Sequence, residues 1–179
     1  MKKGIIFVAG TYGVGKSTLC EKIGKHLSIP FYSAGDLISE INGETYGSNK
    51  VVSDKKGNQD ILIEAVNHKL KSEPSIILAG HFCIFDCQNN VEYLPEYVFE
   101  KLNIKYILLL EASVERICEN LHDRDTKKYR SEDILALQNS EHLQAFKIAS
   151  RLNLPIYLHR MKFESSDVRE VLSIFKKGA

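Results

Sequence analysis

Five short apolar runs punctuate the chain, and the longer stretches between them carry apolar residues at spacings of three and four. The runs are Gly4–Ala9, Pro30–Ser33, Ser75–Gly80, Lys105–Leu110 and Pro155–His159. Four of the five are rich in β-branched residues or apolar on both parities, the pattern of parallel strands covered on both faces by helices. Helices are predicted at Lys16–Leu27, Asp36–Ile41, Gln59–Lys71, Leu94–Leu102, Val114–Leu121, Ser131–Asn153 and Ser165–Lys176. In the longest, Ile134, Leu137, Leu143, Phe146, Ile148, Ala149 and Leu152 form the apolar stripe. Ser131, Glu132 and Asp133 suit its start, because acids in a first turn face the positive end of the helix. Alternating strands and helices predict an α/β fold. It is one domain over residues 1–179, a three-layer, doubly wound, parallel five-stranded sheet with ligand sites at the carboxyl ends of the strands.

Two stretches fit no core element. Residues 41–58 are polar and turn-rich, and residues 122–130 form a dense charge cluster. Long polar insertions at the ligand edge of a compact sheet tend to be lids or substrate loops. The first is therefore expected to be an insertion beside the ligand and the second, as 122–131, a short lid.

The chemistry is clearest after the first strand. Gly10-Thr11-Tyr12-Gly13-Val14-Gly15-Lys16-Ser17 reads G-x-x-x-x-G-K-[ST] between an apolar strand and an amphipathic helix, the context that makes the string a P-loop. Glycines let the backbone curl until successive N–H groups point inward at phosphate oxygens, and the helix beginning near Lys16 adds its positive end. Gly10, Tyr12, Gly13, Val14, Gly15, Lys16, Ser17 and Thr18 are thus the candidate ATP site. Lys16 is expected to reach the β- and γ-phosphates, and the Ser17 hydroxyl to ligate Mg²⁺.

Composition narrows the partners. A length of 179 residues, 44% hydrophobic and 26% charged, is that of an ordinary globular domain. A formal net charge of +1 leaves no electrostatic footprint for DNA or an acidic membrane, and no apolar run approaches membrane-spanning length. Met1-Lys2-Lys3 leads into an apolar stretch too short for a signal peptide. Cys20, Cys83, Cys87 and Cys118 are scattered, and no second Cys/His pair stands near Cys83 and Cys87 to complete a zinc site. Reduced thiols in a cytoplasmic protein are expected.

Taken in order, the motifs resemble the nucleoside-monophosphate-kinase group of P-loop phosphotransferases, in particular its short-lid, adenylate-kinase-like members. The resemblance runs nearly end to end: the P-loop, Ala34-Gly35-Asp36-Leu37, Leu78-Ala79-Gly80-His81, Val114-Glu115-Arg116-Ile117, the basic lid, and a last strand followed by Met161–Asp167. It implies strand order 2-3-1-4-5, ATP as phosphoryl donor, Mg²⁺, a small-molecule acceptor, and a monomer or weak homodimer. By position Asp36 inherits the role of the aspartate beside the γ-phosphate and acceptor; its other reading is a helix N-cap. Arg116 matches the arginine that packs over adenine, against a solvated residue pairing with Glu119 or Asn120. Arg124, Lys127, Lys128 and Arg130 fall in the lid, where cations stabilise charge spreading over a phosphoryl group. The alternative is a solvated loop in which Asp123 and Asp125 pair with the bases.

The departures shape the acceptor. Where the family has a carboxylate at the end of the third strand this chain has Ala79. Ser39, Phe82 or Cys83, and Asn120 stand where it has arginines. Each lost guanidinium removes a bidentate partner for a dianionic phosphate. Lys50, Lys55 and Lys56 are possible replacements. Asn58 and Gln59, opening the third helix, suit hydroxyl, amide or base-edge recognition, with helix capping as the other reading of Asn58. His81, at the end of the third strand, is a cleft residue by topology: a neutral hydrogen bonder, a base, or a satisfied core histidine. Glu141 and His142 read as a packed or solvated pair. The expectation is a Mg²⁺-dependent ATP phosphotransferase acting on a small nucleotide-like or hydroxyl acceptor other than AMP. The other class is an ATP-hydrolysing switch or assembly factor with a macromolecular partner.

Overall fold

Apolar alternation within each strand decides which helices cover which face. The protein's structure, a computed structural model, describes residues 4–42, 55–124 and 129–177. The strands are β1 (Gly4–Ala9), β2 (Phe31–Ser33), β3 (Ser75–Ala79), β4 (Cys83–Phe85), β5 (Val91–Tyr93), β6 (Ile104–Glu111) and β7 (Ile156–Arg160). The helices are α1 (Lys16–Leu27), α2 (Ala34–Asn42), α3 (Lys55–Ser72), α4 (Glu96–Lys101), α5 (Val114–Arg124), α6 (Ser131–Arg151) and α7 (Ser165–Lys177). The main sheet runs β2-β3-β1-β6-β7, all parallel, which is the expected order once β4 and β5 are recognised as a separate antiparallel pair.

On one face Ile5, Phe7, Ile76, Leu78, Ile107 and Leu109 pack with α2, α3, α4 and most of α6. The opposite parity, Ile6, Val8, Ile77, Leu108 and Leu110, packs with α1, α5 and α7. Each fully buried Ile, Leu, Val or Phe contributes roughly 1.5–3 kcal/mol, so both layers are held mainly by the sheet they share. Central β1 is buried along its whole length, and the P-loop leaves its carboxyl end.

Three expectations change. The predicted insertion 41–58 loses both ends to helices: α2 runs on to Asn42, the residue before Gly43 in the sequence, and α3 already begins at Lys55. Residues 43–54, with Lys50, lie outside the described residues, as do the side chains of Lys55 and Lys56. The predicted lid 122–131 shortens in the same way. Helix α5 continues through His122, Asp123 and Arg124, because an exposed helical face tolerates charge, and α6 starts at Ser131. Asp125, Lys127 and Lys128 lie outside the described residues. The hairpin β4–β5 is an addition. Its three-residue strands are too short to show alternation, and its turn is held by Asp86 Oδ1, which accepts the N–H groups of Gln88 and Asn90 at 2.8 Å each.

Candidate active site

The P-loop takes its path because its glycines adopt conformations other residues resist. Gly10 has φ +145, and a Cβ there would stand 2.5 Å from the Leu110 carbonyl oxygen; Gly13 has φ +75. Val14 drops a fully buried side chain into the core beneath the loop and anchors its middle. Helix α1 then opens at Lys16, so its first-turn N–H groups and positive end face the hollow of the loop. Lys16 Nζ donates to the carbonyl oxygens of Gly10, at 2.7 Å, and Thr11, at 2.8 Å, which folds the ammonium back over the loop.

Around this loop lies a cleft of about 1090 Å³ at the carboxyl ends of the strands. Tyr12, Gly13, Gly15, Lys16, Ser17 and Thr18 line it, as do Arg124, Asn58, Gln59 and His81. The structure therefore brings the triphosphate candidates and most of the acceptor candidates to one cavity. Gly10 and Val14 shape the loop from below. Asn58 and Gln59 are both buried, and Gln59 Oε1 has no hydrogen-bond partner among the described residues. The His81 ring lies 4.5 Å from the Tyr12 ring, centroid to centroid.

Other candidates sit elsewhere. Asp36 is exposed in the first turn of α2, outside the residues that line the cleft. It is not the helix cap either: Ser33 Oγ accepts the Asp36 N–H at 3.4 Å. Arg130 is 74% exposed, pairs with Glu132 at 3.4 Å, and does not line the cleft. Arg116 pairs with Glu119 at 3.1 Å, and its guanidinium lies 5.1 Å from the centre of the Phe163 ring. That ring lines the cleft against Gly15, so Arg116 reaches the cavity through Phe163. The turn carrying Phe163 is held by buried Asp167, which accepts the N–H groups of Lys162 and Glu164 at 3.0 Å each and meets His159 Nε2 at 2.9 Å. Those donors outweigh burial and hold the Asp167 carboxyl below the usual carboxylate range.

The positions resembling the family's acceptor arginines have other tasks. Ser39 Oγ donates to the Gly35 carbonyl at 2.8 Å, and Phe82 and Cys83 are fully buried at the start of the hairpin. Asn120 Nδ2 donates to the Gly13 carbonyl at 2.8 Å, bracing the P-loop from α5. Burial pushes the thiols of Cys20 and Cys83 up to about 12, so both remain protonated. Among the described residues no cluster of three His, Cys, Asp or Glu stands ready for a metal. Ser17, in the first turn of α1 and facing the cleft, suits magnesium, which takes few protein ligands and completes its shell with phosphate oxygens and water.

Glu141 is read from the sequence only as part of a packed or solvated pair with His142 and is given no place at the cleft. It is 1% exposed, accepts N–H groups from Gly10 at 3.1 Å, Phe82 at 2.8 Å and Cys83 at 2.6 Å, and lies 3.9 Å from His81 Nδ1. Burial pushes its carboxyl up to about 7, against the Phe82 N–H, the Lys16 charge and the Cys83 and Gly10 N–H groups. The available signal was its register: it stands four residues after Leu137 and four before Ala145, on the buried stripe of α6. His142 turns away to Glu111, at 2.5 Å, so the two neighbours do not pair.

The comparisons fit this geometry. Residues 9–138 match the model of a family described as AAA domain. Cytidylate kinase of Staphylothermus marinus is 22% identical over 128 residues, covering 70% of this chain and 72% of that protein. UMP-CMP kinase of Danio rerio is 26% identical over 146 residues, covering 74% and 73%. Among solved structures, shikimate kinase from Bacteroides thetaiotaomicron superimposes with a TM-score of 0.61 at 14% identity, covering 97% of this chain and 98% of that one. With a P-loop at the mouth of its cleft and a family match over more than half its length, the chain belongs to the AAA-domain family and is an ATP-binding P-loop protein of nucleoside-monophosphate-kinase-like fold.

Proposed function

We propose that this protein is an ATP- and magnesium-dependent phosphotransferase whose acceptor is a small hydroxyl-bearing or nucleotide-like molecule other than AMP. One observation carries the reading: Lys16 and Ser17 share a single cleft with Asn58, Gln59 and His81, so donor and acceptor groups meet in one cavity. The likeness to a cytidylate kinase and a UMP-CMP kinase supports phosphoryl transfer to a nucleotide-like molecule.

Each residue then has a task. Lys16 exchanges the Gly10 and Thr11 carbonyls for β- and γ-phosphate oxygens, as a P-loop lysine does. Magnesium held by Ser17 would neutralise charge on those phosphates. Arg124, at the end of α5, adds positive charge as it spreads over the transferring group. On the other side Gln59 Oε1 accepts an N–H or O–H from the acceptor, and Asn58 offers a second amide edge. Because His81 lines the cleft and Asp36 does not, we assign the hydrogen bond to an acceptor hydroxyl to His81. Among the described lining residues the cations are Lys16, Lys22 and Arg124, and a dianionic phosphate on the acceptor side finds none at Ser39, Phe82, Cys83 or Asn120.

Ala79 favours one other reading. The resemblance implies a carboxylate near magnesium at the end of β3, and without one catalysis would be weakened, as in an ATP-hydrolysing switch that reads a macromolecule. ATP turnover measured alone and with a panel of nucleoside monophosphates, nucleosides and sugars separates the two. Strong stimulation by one acceptor, with the phosphoryl group recovered on it, is the expected result. Slow hydrolysis that no acceptor stimulates selects the switch.

A further inference from the structure

The Glu141 carboxylate receives N–H groups from two segments far apart in the chain. Gly10 is the first residue of the P-loop, and Phe82 and Cys83 lead into the hairpin β4–β5. That hairpin supplies Ile84, Phe85 and Asp86 to the lining of the same cleft as the loop that cradles phosphate. Core packing of α6 does not require an acid here, since Leu137, Ala145, Ile148 and Ala149 already seat the helix on the sheet. A second link runs beside the first. The Tyr12 ring lies 4.5 Å from that of His81 and 6.0 Å from that of Phe85, spanning from the P-loop to the same hairpin.

Gly10 is the joint. Its carbonyl oxygen accepts from Lys16 at 2.7 Å while its N–H donates to Glu141 at 3.1 Å. Lys16 and Glu141 thus hold the two peptide groups on either side of the Gly10 Cα, so a lysine that moves toward a phosphate releases one of them while Glu141 keeps the other. Hydrogen bonds to a buried carboxylate are charge-assisted and directional, which makes such a link stiff. An amide in its place could not satisfy three N–H donors, having one acceptor oxygen and an NH₂ group that would face donors.

We propose that Glu141 is a positioning residue that couples the two halves of the cleft, so that nucleotide binding at the P-loop also fixes the hairpin β4–β5 around the acceptor. The inference rests on the nucleotide site read above, and hydrogen–deuterium exchange with Mg·ATP as the probe separates the two. In the wild-type protein, Mg·ATP is expected to slow exchange both in residues 10–18 and in residues 82–93. In Glu141→Gln the slowing is expected to persist in the P-loop and vanish from the hairpin. Glu141→Asp, which keeps the charge but is too short to reach both segments, is expected to lose the hairpin effect as well. It decides the matter if the glutamine variant does not fold. Wild-type protection confined to the P-loop, or hairpin protection undiminished in a folded variant, overturns the coupling role. No protection of residues 10–18 in the wild type would instead overturn the nucleotide reading itself, and this inference with it.

Discussion

At Glu141 two demands oppose each other. Burial favours the neutral acid and lifts the group from 4.5 to about 7, while its three N–H donors favour the carboxylate, which is the major form above that pH. The charged and titratable groups facing it are Lys16 from α1, Tyr12 from the P-loop, His81 from the turn after β3 and Cys83 from β4. An acid whose pKa is raised on folding contributes stability that is complete below its unfolded value and is lost as the pH climbs through its folded value. Wild-type stability relative to Glu141→Gln should therefore fall as the pH rises from about 4.5 to about 7. Urea unfolding across that range measures it, and parallel pH dependences in the two proteins would contradict the assignment. Lys16 offers a simpler test. Lys16→Ala should keep the fold, since a loop lysine adds little to packing, yet lower ATP turnover by about 100-fold or more. Steady-state kinetics checks this, and wild-type turnover would remove the P-loop from the chemistry. Lys16 was legible in the sequence because its role follows from a local string of residues. Glu141 was not, because its partners lie 131 and 59 residues away along the chain.

Elements differ in how much of themselves they show before folding. Helix α1 matched its expected bounds because a glycine-rich loop marks its start and the apolar periodicity is strong. Helices α3 and α5 overran theirs, since polar residues on an exposed face carry no stop signal. The hairpin β4–β5 was hidden, and its turn depends on Asp86, whose bonds to Gln88 and Asn90 span only a few residues. The end of α5 separates two arginines that a linear charge cluster could not distinguish. Arg124 lines the cleft, whereas Arg130 pairs with Glu132 outside it. Arg124→Ala should thus lower kcat by about 10- to 100-fold with a smaller effect on the KM for ATP, and Arg130→Ala should change kcat less than twofold or so. Equal losses in the two variants would mean that both arginines enter the working cleft.

For the whole molecule, the order of strands and helices was enough to predict a doubly wound sheet, and β2-β3-β1-β6-β7 agrees with it. That architecture fixes where a ligand binds but not which ligand, because the carboxyl-end loops are decorated independently of the sheet. The acceptor must be read from its side chains, and the function proposed above excludes AMP on their account. Ser39, Phe82, Cys83 and Asn120 are engaged in helix, core and P-loop contacts, and no cation takes their place among the described lining residues beyond Lys16, Lys22 and Arg124. Each missing charge-assisted contact costs about 1.5–3 kcal/mol, so several together amount to orders of magnitude in kcat/KM. AMP offered with ATP and saturating Mg²⁺ should yield ADP only slowly. Turnover of tens per second or faster, typical of a competent kinase, would show the clamp rebuilt by other side chains.

Phosphoryl transfer itself is tested most directly by following γ-labelled ATP in the presence of candidate acceptors. Incubation of the protein with labelled Mg·ATP and the panel of monophosphates, nucleosides and sugars should move label onto one small acceptor, faster than it appears as free phosphate, and Lys16→Ala should abolish the transfer. Label released only as free phosphate, at a rate indifferent to every acceptor, would contradict the account.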